Sequence, residues 1–256
     1  MSSFSHKLST FLQCAGTFAG TLDIFKYIYL KVSPFAFPKR IRIRIKELDH
    51  SLFCRTRSSD IGVLLDTIKG GHHRLPDGMS LPSNAVIMDL GVNAGYTVLD
   101  YANRHPSARI IGVEMDKGNF DLAVENTRHL GSRCTLIQAA VWTEDGKISY
   151  EGSGASAFRI SSRAGSNTCT VESRSLASIF QQFGLDSIDY LKMDIEGAER
   201  QVFTASMDWA AKVRIMQVEA HSDEIMKIVT DSLTAAGFRY ELVPTHDNSL
   251  LAVRRD

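Results

Sequence analysis

The chain has 256 residues, 44% of them hydrophobic, and its 29 basic and 29 acidic side chains give a formal net charge of zero. That neutrality removes the basic footprint of a nucleic-acid binder, and the length allows one domain with a sizeable core plus an N-terminal extension. Cys14, Cys54, Cys134 and Cys169 are widely spaced with no C-x-x-C pair, so thiols in a reducing, cytoplasmic setting are expected.

Residues 1–37 form the extension. Phe4, Leu8, Phe11, Ala15, Phe18, Leu22, Phe25 and Tyr29 recur at spacings of three and four, which predicts an amphipathic helix. Asp23 and Lys26 interrupt the apolar window and argue against a membrane span, and no clean apolar core or cleavage site marks a secretory signal. Gly16 and Gly20 make a G-x-x-x-G that suits close helix packing. Docking on the chain's own main domain is the first expectation. A homo-oligomer contact and peripheral membrane attachment are the alternatives.

Residues 38–82 read as a lead-in. Ile41-Arg-Ile-Arg-Ile45 alternates strictly, as a half-exposed strand does, with Leu52–Arg55 as its partner. A short helix from Ile61 to Ile68 follows, with Ser59 or Asp60 placed to cap it. His72 and His73 are adjacent in a glycine-rich loop with no neighbouring Cys or carboxylate cluster, so they are not expected to bind metal; a divalent ion held by Asp194 with Glu219 or His221 is an alternative with a thin ligand set, and no metal is assigned.

The third segment, 83–256, is organised around Val86-Ile-Met-Asp-Leu-Gly-Val-Asn-Ala-Gly-Tyr-Thr97. A short apolar strand runs into a glycine turn, and Tyr96–Arg104 reads as a helix, the first unit of a doubly wound sheet. The helix start offers unpaired N–H groups to an anion. The dinucleotide fingerprint G-x-G-x-x-G, laid on Gly91, Asn93 and Tyr96, matches only at its first position, which crowds a pyrophosphate. A methionine carboxylate needs less room, and Asp89 favours an ammonium over a diphosphate. S-adenosylmethionine (SAM) is therefore preferred to NAD. Glu114 ends the next strand, Arg109–Glu114, where a carboxylate can accept both ribose hydroxyls. Its other reading is a cap for the helix from Lys117, a task Asp116 could also take.

Arg133–Gln138 is the third strand, and Asp145-Gly146 is expected to turn the chain into a hairpin with Lys147–Tyr150. The polar stretch Gly152–Asn167, containing Arg159 and Arg163, reads as a lid loop. A strand near Cys169–Glu172 and a helix near Leu176–Phe183 come next. In Ser187-Ile-Asp-Tyr-Leu-Lys-Met-Asp-Ile-Glu-Gly-Ala-Glu199, Lys192 and Asp194 share one strand face, and Glu196 is expected to open a helix. Val213–His221 is the following strand. If the two strands are neighbours, Asp194 and His221 end side by side, a carboxylate beside an imidazole that can take a proton from an alcohol. The other reading of His221 is a surface or capping histidine. Phe238–Val243 and Ser249–Val253, joined by a short loop, must be antiparallel.

The stretches Asp89–Thr97, Val113-Glu114 with Asn119 and Phe120, and Leu191–Glu199 resemble the FkbM family of SAM-dependent methyltransferases, over roughly residues 50 to 253. Ser59–Val63 and Val218-Glu-Ala-His221 are similar to weaker stretches of that family. Met115 stands where the family usually has Pro, and Ala139 where it often has Asn. The resemblance implies a Rossmann-like α/β fold of class I methyltransferase type, mostly parallel with a terminal antiparallel hairpin. It also implies O-methylation of sugar or polyketide-like hydroxyls on a small molecule or glycan. Asp89, Gly91, Asn93, Gly95 and Glu114 are then expected to hold SAM, with Asp194 and His221 facing the acceptor. An NAD-dependent oxidoreductase and a non-catalytic SAM-binding interaction protein are the rival readings.

Overall fold

The computed structural model describes residues 16–32, 39–151, 159–161, 169–243 and 248–255. Its contacts divide the chain into two units, Met1–His72 and His73–Asp256.

In the first unit, α1 (Thr21–Val32) is followed by the antiparallel pair β1 (Arg40–Ile43) and β2 (Leu52–Arg55), and then by α2 (Asp60–Ile68). The expected helical stripe is corrected here. Phe18 lies outside any helix, in a bridge with Ile45, and Gly16 and Gly20 flank that bridge rather than share a helix face. Leu22 and Phe25 are 68% and 63% exposed, whereas Asp23, Tyr27 and Leu30 are buried. The helix is phased by a polar anchor, because Asp23 Oδ1 accepts from Lys26 Nζ at 2.9 Å and from the Arg44 N–H at 3.3 Å. Residues 1–15 and 33–38 of the expected helix lie outside the described residues. No helix among the described residues is long and apolar enough to cross a membrane. Ser59 occupies the N-cap position of α2 without a side-chain bond, and the Asp60 carboxylate instead receives the N–H (2.7 Å) and the guanidinium Nη2 (2.7 Å) of Arg55.

The second unit is built on a seven-stranded sheet in the order β12-β13-β11-β10-β3-β4-β5. The strands β3 (Val86–Leu90), β4 (Arg109–Glu114), β5 (Cys134–Gln138), β10 (Ile188–Met193) and β11 (Val213–Glu219) pair in parallel. Their residues are apolar on both faces, as a sheet covered on both sides requires. Met88, Leu90, Leu191, Met193 and Met216 pack into one core, and Ile87, Ile110, Tyr190 and Ile215 into the other. The connecting helices α3 (Tyr96–Arg104) and α4 (Lys117–Thr127) fall where the sequence places them, and α7 (Asp223–Ala235) joins β11 to β12. Gly237, at φ 86°, ends the last of these. β12 (Phe238–Leu242) and β13 (Ser249–Arg254) pair antiparallel, and β13 also runs antiparallel to β11, so the sheet ends in the expected hairpin.

A smaller sheet differs from expectation. β6 (Ala140–Trp142) and β7 (Gly146–Glu151) form no hairpin, because β9 (Cys169–Ser175) lies between them in the order β6-β9-β7-β8. The Asp145 turn is held by the later chain: its Oδ1 accepts from the Ser175 N–H (2.9 Å) and Ser178 Oγ (2.6 Å) at the start of α5 (Leu176–Phe183). β8 (Arg159–Ser161) pairs with β7 inside the stretch expected to be a loop, and residues 152–158 and 162–168, with Arg163 and the expected lid, lie outside the described residues. Glu196 does not open a helix. It sits at φ 55° beside Gly197 at φ 97°, a left-handed pair that turns the chain before α6 (Glu199–Thr204) begins.

Candidate active site

The parallel register fixes which strand ends meet. Lys192 lies level with Asp89 on one side and Gln217 on the other, so β3, β10 and β11 release their chains at one edge of the sheet. A cleft opens there. Gly91 and Asn93 from the first turn, Glu114 and Met115 from the end of β4, and Asp194 and Glu196 from the end of β10 all line it.

Beneath the cleft, Lys192 is almost fully buried. Its Nζ donates to the Gly91 carbonyl at 2.6 Å and lies 3.2 Å from Asp89 Oδ1 and 3.5 Å from Asp194 Oδ2. Burial by itself would lower the pKa of this ammonium, but Asp89 and Asp194 outweigh it and hold the group above its ordinary range. Burial likewise pushes the Asp89 carboxyl up, against the pull of Lys192. Asp89 also accepts from Thr97 Oγ1 and does not line the cleft, so it shapes the turn from below. Gly95 is also outside the lining. At φ 86° it precedes α3, and a Cβ there would meet Ala123 Cα and Thr127 Cγ2 at 3.2 Å. Gly91 has its own requirement, since at φ 87° a Cβ would lie 1.8 Å from the Asp194 carbonyl oxygen. The space a side chain would need is taken by the end of the neighbouring strand.

Glu114 reaches the cleft wall held by backbone. Its Oε2 accepts the Asn93 N–H and its Oε1 the Asp116 N–H, each at 2.8 Å. Asn93 adopts φ 52°, a left-handed conformation that Asn tolerates better than most residues. The capping alternative for Glu114 goes to Asp116, whose side chain accepts from the Asn119 N–H at 2.8 Å. Burial pushes the Glu114 carboxyl up, and the two N–H bonds oppose the shift.

Asp194 and His221 do end side by side, with Nε2 of His221 3.6 Å from Asp194 Oδ1. Nε2 is also 3.5 Å from Glu196 Oε2, and Nδ1 is 3.2 Å from Glu199 Oε1. Burial disfavours the imidazolium, but the bond to Glu199 and the charges of Glu199, Asp194 and Glu196 carry the His221 pKa up to about 9. Burial and the Asp194 charge push Glu196 up to about 7. Burial opposes ionisation of Asp194 as well, yet Lys192, His73 and His221 bring its carboxyl below the usual range.

The sequence reading gave no site role to Lys192, Glu196, Glu199 or His73. His73 Nε2 is 3.7 Å from Glu219 Oε2, and its backbone carbonyl accepts the hydroxyls of Tyr101 (3.0 Å) and Tyr190 (2.6 Å). Two groups, His73–Asp194–Glu219 and Asp194–Glu196–His221, bring ligand atoms within 4.8 Å of one another, a spacing that could admit a cation. No local signal marks His73, because its carboxylate neighbours come from strands far along the chain. Glu199 had a signal: it closes the motif in which Asp194 was recognised.

Comparison with known proteins agrees with this geometry. The model of the methyltransferase FkbM domain matches residues 89–240, more than half of the chain. The 2-O-methyltransferase NoeI of Sinorhizobium fredii is 26% identical over 193 residues, covering 68% of this chain and 79% of that protein. The structure of the methyltransferase FkbM from Methylobacillus flagellatus KT superimposes with a TM-score of 0.51 at 12% identity, covering 98% of this chain and 60% of that one, which is a likeness of fold. The sheet order, the turn between β3 and α3 and the matched residues lead to one assignment: this chain is a methyltransferase and belongs to the FkbM methyltransferase domain family.

Proposed function

We propose that the chain transfers the methyl group of SAM to a hydroxyl of a small-molecule or glycan acceptor of sugar or polyketide type. The observation that carries the cofactor is Glu114. Two of its carboxylate lone pairs are taken by backbone N–H groups, and the remaining acceptor capacity borders the cleft, which suits paired ribose hydroxyls. Gly91 and Asn93 supply the turn beside it, while Asp89 and Gly95 keep that turn in shape from below. When bound, the cofactor supplies an activated methyl on a sulfonium.

The protein's part is alignment and proton removal. Asp194 lines the cleft and His221 stands beside it, outside that lining; in this reading the acceptor hydroxyl reaches both, and His221 Nε2 takes its proton as the oxygen attacks. The name of the relative NoeI, a 2-O-methyltransferase, supports oxygen as the methylated atom. Calorimetry tests the cofactor: SAM or its demethylated product should bind and NADH should not, and tight NADH binding without SAM binding would sink the reading. Labelled SAM incubated with cell-extract fractions should then yield a labelled methyl ether. Binding of SAM with no labelled product in any fraction would favour the non-catalytic reading.

A further inference from the structure

Glu199 is the one acid of the site that touches His221 at hydrogen-bonding distance. Its Oε1 lies 3.2 Å from Nδ1, whereas Asp194 and Glu196 stand 3.6 and 3.5 Å from Nε2, beyond a bond. The Glu199 side chain is fully buried, so water does not compete for that contact. Its carboxylate is also pinned from a second direction, because Oε1 accepts the Ile195 N–H at 3.0 Å. The left-handed pair Glu196–Gly197 makes this possible by folding the end of β10 back over the first residue of α6.

The residues on either side of His221 are held as well. The Ala220 N–H bonds the Asn248 carbonyl at 2.8 Å, and Ser222 caps α7 through the Ile225 N–H at 3.2 Å. An oxygen that already accepts one N–H, on a group that when ionised only accepts, calls for a donor at Nδ1. The other ring nitrogen is then the one with a lone pair, and it points toward the two acids at the cleft.

We propose that Glu199 is the positioning residue of this site: by bonding Nδ1 it holds His221 in the Nδ1–H form and leaves Nε2 to receive the acceptor's proton. The assignment rests on the reading of His221 as the base. The charged groups facing the ring are Asp194 and Glu196 after β10 and Glu199 on α6, while Glu219 at the end of β11 faces His73. Asp223 and Glu224 open α7, Glu224 being paired with Arg200, and Lys192 holds the far oxygen of Asp194. Among the groups that raise the His221 pKa, Glu199 contributes most, so removing its charge moves the titration in a known direction.

Nitrogen-15 NMR of the full-length protein, with His221 assigned by the loss of its signals in His221→Asn, reads both the tautomer and the titration without any acceptor. Above its midpoint, wild-type His221 should carry its proton on Nδ1; a proton on Nε2 overturns the proposal, and this measurement needs no Glu199 variant to fold. In Glu199→Gln the midpoint should fall by about one pH unit or more, a tenfold weaker hold on the proton. An unmoved midpoint overturns the proposal too. The acid limb of kcat/KM should shift by the same amount, which a purely structural role for Glu199 would not produce. Should methyl transfer itself not be found, the two NMR results still decide the position of the proton, so the two readings fail separately.

Discussion

Lys192 and Asp89 form a buried ion pair under the cleft, 3.2 Å from Nζ to Oδ1, with side chains 2% and 0% exposed. Because Nζ also donates to the Gly91 carbonyl, the pair ties the turn after β3 to the neighbouring strand β10. Removing one partner strands the other charge in the interior, which typically costs about 3–5 kcal/mol. Lys192→Met should therefore lower the unfolding free energy by about that much in urea titration and weaken SAM binding with it. A variant as stable as the wild type would show that the pair does not organise the turn.

Gly91 and Gly131 both have positive φ, 87° and 57°, but only Gly91 would put a Cβ into the chain, 1.8 Å from the Asp194 carbonyl oxygen. Gly131→Ala should cost about 1–3 kcal/mol for its backbone alone, because φ 57° with ψ −134° is a combination that glycine adopts and other residues avoid. Gly91→Ala should cost more and should remove SAM binding in calorimetry. Equal losses in the two variants would mean that the clash is relieved without consequence.

Glu114→Gln keeps the shape of the side chain, but its amide must turn a donor either toward a backbone N–H or toward the cleft. Losing a hydrogen bond to a charged group costs about 1.5–3 kcal/mol, so the dissociation constant for SAM should rise about tenfold to a hundredfold. Folding should change far less, as a thermal melt would record. Unaltered SAM affinity would remove Glu114 from the cofactor's contacts.

The pKa of His221, raised from 6.5 to about 9, makes stability depend on pH. A folded state that holds a proton more tightly than the unfolded chain gains stability that is complete below pH 6.5 and disappears as pH climbs through about 9. Glu196, raised from 4.5 to about 7, works in the same direction over a lower window. The urea midpoint should therefore decline from pH 6.5 toward 9, and the decline should be shallower in His221→Asn. A flat profile in the wild type would contradict the shift. The same proton must leave before Nε2 can act as a base, so kcat/KM should increase with pH up to that midpoint.

Both candidate cation groups share Asp194, and Lys192 already sits 3.5 Å from its Oδ2. A fixed ammonium at the shared ligand repels a divalent ion. Turnover should survive EDTA; its loss, with recovery on adding magnesium, would establish a metal.

What could be read from the sequence was local or followed from strand periodicity. The strand, glycine turn and helix over 86–104 lie within one stretch of chain, and apolar runs bounded by glycines specify such elements through backbone geometry alone. The antiparallel β12–β13 pair followed from a loop too short for a crossover, and the meeting of Asp194 with His221 from two parallel strands lying side by side. Tertiary structure decided the rest, because long-range pairing is invisible to any local period. β9 lies between β6 and β7, and its last residue, Ser175, bonds Asp145. α1 turns Leu22 and Phe25 outward because Arg44 holds Asp23 inward. Above all, the sequence named Asp89 and His221 but not the partners they find. Lys192 neutralises Asp89, and Glu199 rather than Asp194 bonds His221, because a buried charge is settled by whichever opposite group the packed strands bring within reach.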